Sequence, residues 1–177
     1  MAPQLRLNAV AFISPQNQPI LIRTFGKQSH PIKYHYIAHT SLDVIEERGE
    51  FHRPIQSFST CNVDPIVQAA GKTAECYLGL LYTMEDVAVY GYITPLKVKI
   101  VVALALSDAV VRDLDVITIF KALHMAYYNA ISNPFLRLET AHDGTNEHSP
   151  YLLLSGSKWQ TFKRRVDDIS RLVGSAA

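Results

Sequence analysis

The side chains best suited to chemistry in this sequence form a row within residues 32–48. His35, His39 and Asp43 follow one another at intervals of four residues, so on a helix they would share one face. Two such histidines can bind zinc when a further ligand comes from elsewhere. The three side chains span about 12 Å at a rise of 1.5 Å per residue, so they cannot all reach one ion. The spacing therefore favours a polar face that meets water or another protein, and we predict no metal.

Groups suited to nucleophilic catalysis are scattered along the chain rather than paired. Ser155-Gly156-Ser157 lacks the G-x-S-x-G pattern of a nucleophile turn, and Ser157 is better placed to cap a helix. Cys76 begins a predicted strand with no predictable histidine beside it, so we expect a small buried side chain there. The sequence contains neither of the glycine-rich phosphate-binding motifs, G-x-G-x-x-G and G-x-x-x-x-G-K-[ST]. We therefore predict that the protein is not an enzyme and binds no cofactor.

Charge and hydropathy exclude two further classes of protein. The chain has 17 Lys and Arg against 16 Asp and Glu, and a nucleic-acid-binding domain usually carries a basic excess on one face. The longest apolar stretch, residues 100–106, is far shorter than the roughly 20 residues that cross a bilayer. We therefore expect no nucleic acid, and only a peripheral membrane association that partners provide.

The hydrophobic patterns predict the element order ββ-α-βββ-αα. The predicted strands are residues 5–13, 20–25, 75–82, 87–94 and 97–106, and the predicted helices are residues 32–48, one that Asp113 caps, and one from Ser157 to Gly174. Residues 5–13 are apolar on both alternations, as in a strand covered on both faces. Five antiparallel strands with helices on their faces give an α+β domain over residues 1–177, with loop insertions at about 49–74 and 139–155.

Two glycines, Gly79 and Gly91, lie inside predicted strands, where a missing side chain often marks a close approach by other atoms. We expect one of the domain's own helices to pack there, with contact by a partner protein as the alternative.

Four stretches, taken in this order, resemble the sedlin-like subunits of the TRAPP vesicle-tethering complex, which have the longin fold. They are YHYIAHTSLDVIEE at 34–47, YLGLLY at 77–82, VYGYIT at 89–94, and KALH at 121–124 continuing to Asn133-Pro134-Phe135. The resemblance covers about residues 5–135, and the last helix matches by position and pattern only. The segments 49–74 and 139–155 are longer than is usual in this family, so the resemblance says little about them.

The resemblance implies a non-catalytic subunit. TRAPP complexes tether vesicles and act as exchange factors for Rab GTPases in ER-to-Golgi and Golgi traffic, with longin-type and Bet3-type subunits side by side. One branch of the family is associated with assembly or stability of the larger, Golgi-acting form. The implied partners are Bet3-type subunits, large subunits of the Golgi form and, indirectly, a Rab GTPase. The implied location is the cytoplasm, peripherally at ER-Golgi and Golgi membranes.

Longin subunits of such complexes commonly meet a Bet3-type neighbour through their first helix and the nearby sheet edge. Carried over to this sequence, that surface consists of His35, His39, Asp43, Glu46 and Glu47. An acidic, histidine-bearing face could pair with basic residues of a neighbour, which gives register and specificity more than affinity. The alternatives are a face that meets only solvent, and a stand-alone longin-type regulatory or small-molecule-binding module with an apolar pocket between sheet and helix.

Overall fold

The structure is a computed structural model that describes residues 5–25, 31–51, 76–84, 86–106, 111–133 and 159–175. These residues form five strands and three helices, whose order confirms the predicted ββ-α-βββ-αα arrangement. The strands are β1 (Leu7–Ile13), β2 (Pro19–Thr24), β3 (Tyr77–Met84), β4 (Val87–Ile93) and β5 (Lys99–Ala105); the helices are α1 (Pro31–Phe51), α2 (Asp113–Ile131) and α3 (Gln160–Ser175).

The five strands form one antiparallel sheet in the order β2-β1-β5-β4-β3. Strand β1 pairs with β2 on one side and with β5 on the other, which is the inner position that its apolar pattern predicted. Successive residues of β1 point to opposite faces, so Val10 and Phe12 enter one core while Ala9 and Ala11 enter the other. The predicted α+β class is therefore confirmed.

The two faces of the sheet are covered by different helices. Helix α1 covers one face, where Ile37, Leu42 and Ile45 pack with alternate residues of β1, β4 and β5. Helices α2 and α3 cover the opposite face, where the core includes Val116, Phe120, Leu123 and Tyr127 of α2 and Phe162 and Val166 of α3. A protein partner therefore meets a different helix depending on which side of the sheet it approaches.

Helix α3 is joined to the sheet by aromatic and ionic contacts. The Phe162 ring lies 5.2 Å from that of Phe12 in β1 and 5.9 Å from that of Tyr127 in α2, both in edge-to-face geometry. At the outer strand β2, the Arg23 guanidinium donates to both carboxylate oxygens of Asp167, at 2.9 and 2.7 Å. These contacts place α3 within the same hydrophobic core as the sheet.

Strand β3 is irregular, and its glycine, Gly79, does not make room for a helix as we expected. The β3–β4 register shifts twice, and Gly79 has a φ of +74°, a left-handed conformation that favours glycine. Opposite it in β4, a Cβ on Gly91 would lie 3.0 Å from the Leu81 side chain of β3. The close approach therefore comes from the neighbouring strand, and the expectation that a helix packs against these glycines was wrong.

Helix α1 also binds this irregular strand through its last turn. The Arg48 guanidinium donates to the carbonyl oxygens of Leu78 at 3.1 Å, Leu80 at 2.7 Å and Leu81 at 3.2 Å. Register shifts of this kind leave carbonyl groups outside the regular ladder, and a guanidinium has enough donors to serve several of them.

Several boundaries differ from the predicted ones. Helix α1 continues to Phe51, three residues past the predicted end, and so takes in the start of the predicted 49–74 insertion. The N-cap of α2 is Arg112 rather than the predicted Asp113, whose carboxylate instead accepts a hydrogen bond from the Tyr77 hydroxyl at 3.0 Å. Cys76 directly precedes β3 and is only partly buried.

Some predictions fall outside the described residues. These are the rest of the 49–74 insertion, the whole of the 139–155 insertion, the serine turn at 155–157, and Pro134-Phe135. Within the described residues, no helix is long and apolar enough to cross a membrane.

Candidate functional site: the outward face of helix α1

Helix α1 is held on the sheet by both apolar and polar contacts, which fixes the side it presents outward. Ile37, Ala38, Leu42 and Ile45 recur at helical spacing and are buried. The Tyr82 hydroxyl of β3 donates to the Ile37 carbonyl oxygen at 2.9 Å, and the Ser41 hydroxyl donates to the same oxygen at 2.7 Å. Because these contacts fix the rotation of α1 about its axis, the side chains opposite them must face away from the sheet.

The structure places all five predicted site residues on this outward side. His35, His39, Asp43, Glu46 and Glu47 are all exposed. Their spacing of four, four, three and one residues keeps them within about one third of the helix circumference, at 100° per residue. The predicted helix face therefore exists, while its role in binding a partner stays a prediction.

Glu46 differs from the other four because it already has partners within the chain. Its carboxylate accepts hydrogen bonds from the Asn17 amide at 2.7 Å and from the Lys99 ammonium at 3.1 Å. The hydrogen bond from Asn17, followed by the hydrogen bond and charge of Lys99, holds the pKa of Glu46 below its usual value. The Lys99 side chain is only 11% exposed, and a cation so far buried needs such a partner. Glu46 therefore serves the fold, tying α1 to β5 and to the β1–β2 turn.

The other four polar side chains make no such contacts. Within the part of the chain that the structure describes, the side chains of His35, His39, Asp43 and Glu47 have no hydrogen bond or ion pair. A neighbouring protein can therefore pair with them without first displacing a partner among the described residues.

Two apolar residues that the sequence reasoning did not include lie on the same side of α1. Ile32 is 83% exposed and Tyr36 is 61% exposed. Both lie within about 60° of His39 around the helix axis, so a helical wheel drawn over residues 32–47 would have shown them. We call Ile32, His35, Tyr36, His39, Asp43 and Glu47 together the α1 outer face. Protein interfaces are enriched in aromatic residues at their centre and are polar at their rim, so Tyr36 with polar groups around it is compatible with an interface.

The described residues also bear on two of the alternatives, a metal site and a small-molecule pocket. No group of three His, Cys, Asp or Glu side chains among them could hold a metal ion. Between α1 and the sheet, the described residues form an apolar groove with a cavity volume of about 10 Å³, lined by Ala9, Ala11, Ile22, Tyr34, Ala38 and others. That is space for about one water molecule, whereas sites for small molecules usually measure about 300–1,000 Å³, so this groove favours the small-molecule alternative less than the docking one.

The architecture defines the class of protein first. A five-stranded antiparallel sheet, with one helix on one face and two on the other, is a longin-like α+β domain. The sedlin family model matches residues 12–147, which include all of the sheet except the first five residues of β1, together with α1 and α2. The chain belongs to the sedlin family.

Curated relatives agree with this assignment. The chain is 38% identical over 126 residues to a bovine protein, the Bos taurus "Trafficking protein particle complex subunit 2-like protein", covering 71% of this chain and 80% of the relative. A protein of the same name from Dictyostelium discoideum is 35% identical over 136 residues, which cover 75% of this chain and 84% of the relative. The recognition of a sedlin-like chain from the sequence is therefore confirmed.

Proposed function

We propose that this chain is a subunit of a trafficking protein particle complex and docks onto a neighbouring subunit through the α1 outer face. It acts there without catalysis, in the assembly or stability of a complex that tethers vesicles and activates a Rab GTPase in ER-to-Golgi and Golgi traffic. Family membership supports the kind of complex, because relatives more than one third identical carry that name. The observation that carries the docking surface is the set of exposed polar side chains on α1 that have no partner within the described part of the chain.

The electrostatics of the α1 outer face suggest what the neighbour presents. Asp43 and Glu47 lie one helical turn apart and are both exposed, so their charges add over a small area. A basic patch on the neighbour would complement them, while Ile32 and Tyr36 supply apolar area at the other end of the face. Charges of this kind fix the register of an interface and exclude wrong partners more than they add affinity. Bet3-type and large Golgi-form subunits are the proposed neighbours.

The direct test reverses one charge on this face. We expect Asp43→Lys to leave the fold intact, because the side chain is exposed and unpaired among the described residues, but to weaken incorporation into the complex. The measurement is quantitative co-purification of the tagged full chain from its native cytosol, with the co-eluting subunits identified by mass spectrometry.

Asp168→Lys is the matched control. It makes the same charge change on α3, at an exposed carboxylate whose contact with Arg171 at 3.2 Å is a surface pair of little energetic value. We expect this variant to recover the same subunits as wild type, and both variants to unfold at the wild-type urea concentration. If Asp43→Lys retains its full set of co-purifying subunits, docking through this face is wrong. If the wild-type chain recovers no trafficking subunit at all, the proposed complex is wrong.

A further inference from the structure

Helix α2 carries a second exposed row of side chains, on the opposite side of the sheet from the α1 outer face. Leu114, Met125 and Tyr128 are 74%, 55% and 51% exposed, although all three are large and apolar or aromatic. Thr118 and Lys121 lie between them and are also exposed. We call these five residues the α2 stripe. Their spacing alternates between four and three residues, which places them in one line along a helix.

The two polar members of the α2 stripe interrupt its apolar surface very little. The Thr118 hydroxyl donates to the Leu114 carbonyl oxygen at 2.8 Å, so its polar group is used within the helix and its methyl group remains available for contact. The Lys121 side chain has a four-carbon stem that can lie along apolar surface while its ammonium group stays in water. The stripe is therefore a largely apolar surface, about 21 Å long at 1.5 Å per residue.

The charges around the α2 stripe indicate what would complement it. Of the nearby carboxylates, Asp113 accepts a hydrogen bond from the Tyr77 hydroxyl at 3.0 Å, and Asp115 pairs with Arg112 at 3.2 Å. Within the described residues, no carboxylate pairs with Lys121. Lys121 is therefore a positive charge with no carboxylate paired to it among the described residues, and it lies at the midpoint between Leu114 and Tyr128. Asp113 keeps its own negative charge, because a hydrogen bond from a neutral hydroxyl does not cancel it, but it lies at the start of α2, eight residues before Lys121.

The position of Lys121 argues against a second copy of this chain as the occupant. A two-fold pair of α2 stripes would place equivalent residues opposite one another at its centre, which brings two Lys121 ammonium groups together. Like charges in such a place oppose association. The alternation of four and three residues is instead the spacing with which one helix packs along another at a shallow angle.

We propose that the α2 stripe binds an amphipathic helix of a different protein, which presents apolar side chains at the same spacing and an acidic side chain opposite Lys121. This proposal does not rest on the proposed function, because the stripe and the α1 outer face lie on opposite faces of the sheet. A neighbour on α1 and a helix on α2 can be bound at the same time.

Two synthetic helical peptides and the full chain test this proposal. Each peptide is about three heptads long, with leucine at the contact positions, and the two differ only in one central residue, Glu or Lys. Fluorescence anisotropy gives their affinities for the full chain. We expect the Glu peptide to bind about three- to fivefold more tightly than the Lys peptide, and Lys121→Glu to reverse that preference. Met125→Ser should weaken the binding of both peptides by about fivefold or more.

Leu172→Ser is the matched control, because Leu172 is an apolar residue on α3 that is exposed to a similar extent, 67% against 55% for Met125. We expect it to change neither affinity, and the urea unfolding midpoint of each variant to stay at the wild-type value. Equal affinity for the two peptides, absence of binding, or binding that survives Met125→Ser would each overturn the proposal. So would a dimer in sedimentation velocity that Met125→Ser dissociates, since the stripe would then bind a second copy.

Discussion

Helix α3 begins at Gln160, beyond the 12–147 segment that matches the sedlin family, yet its side chains lie in the same core as the sheet. Phe162→Ala tests whether α3 is a full part of the domain. Phe162 is completely buried, and its ring contacts those of Phe12, Tyr127 and Trp159. Truncating a buried Phe to Ala typically costs about 3–5 kcal/mol, because a cavity adds to the lost transfer free energy.

The expected loss is a large part of the total stability, which for a natural domain is about 5–15 kcal/mol. With a urea m-value of about 2 kcal/mol per molar, the unfolding midpoint should fall by about 2 M. Trp159 is the one tryptophan of the chain, and it directly precedes α3 with its ring 5.7 Å from that of Phe162. Its fluorescence therefore reports on α3, while far-ultraviolet circular dichroism reports on the whole domain.

We expect the fluorescence and dichroism transitions of the wild-type chain to coincide, because a shared core unfolds as one unit. Leu172→Ala is the control on the same helix, and as an exposed substitution it should change the stability by less than about 0.5 kcal/mol. The reasoning is refuted if Phe162→Ala and Leu172→Ala unfold at the same urea concentration. It is also refuted if the Trp159 signal of the wild-type chain is lost well before the dichroism signal.

Three further perturbations have expected outcomes. Gly79→Ala should destabilise the domain by about 1–2 kcal/mol in urea unfolding, because the cost of a left-handed φ remains even where a Cβ has open space. Glu46→Gln should reduce the loss of stability that the domain shows in acid. The pKa of Glu46 is lowered in the folded protein, so its carboxylate stabilises the fold above its ordinary pKa of 4.5. That contribution is lost as pH falls through the folded pKa. His124→Gln should flatten the pH dependence of stability below pH 6.5, since burial lowers the pKa of His124, and the unfolded chain therefore binds the proton first.

Each of these outcomes has a control and a contrary result. Gly174→Ala places a methyl group in open space within a helix and should be neutral or stabilising, so an equal loss in both glycine variants would contradict the role of φ. Glu47→Gln is the control for Glu46→Gln, because it removes one carboxylate from the same helix without removing an ion pair among the described residues, and an equal change in both variants would contradict the role of the Lys99 contact. An NMR titration of His124 that gives a folded pKa at or above 6.5 would contradict the effect of burial.

The sequence predicted best those elements whose buried residues recur at the spacing of a strand or a helix. Strand β1 is apolar on both alternations and lies inside the sheet, while α1 keeps helical spacing and buries Ile37 and Ile45 on one side. The five polar residues of the candidate site follow from the same period, since they are the complement of the buried face. The same helical period also predicts that Ile32 and Tyr36 face outward. They were not predicted as site residues because only the polar residues of that face were considered.

Contacts between residues far apart in the chain could not be predicted from the sequence around each residue. Arg23 and Asp167 are 144 residues apart in the chain, and Glu46 and Lys99 are 53 apart, so nothing in the surrounding residues marks them as pairs. The two shifts in the β3–β4 register and the close approach of Leu81 to Gly91 are likewise three-dimensional features that no local pattern marks. The α2 cap was predicted one residue too late, because Asp113 is a favoured capping residue and Arg112 is not.

The contact of Arg48 with β3 also bears on aggregation at the edge of the sheet. An outer strand with free backbone groups is a template on which a second chain can add a strand and begin to aggregate. Here an added strand would have to follow two register shifts and compete with a guanidinium for the carbonyl oxygens of Leu78, Leu80 and Leu81. Addition of a strand is thereby hindered at this edge, while the helix faces proposed for recognition remain exposed.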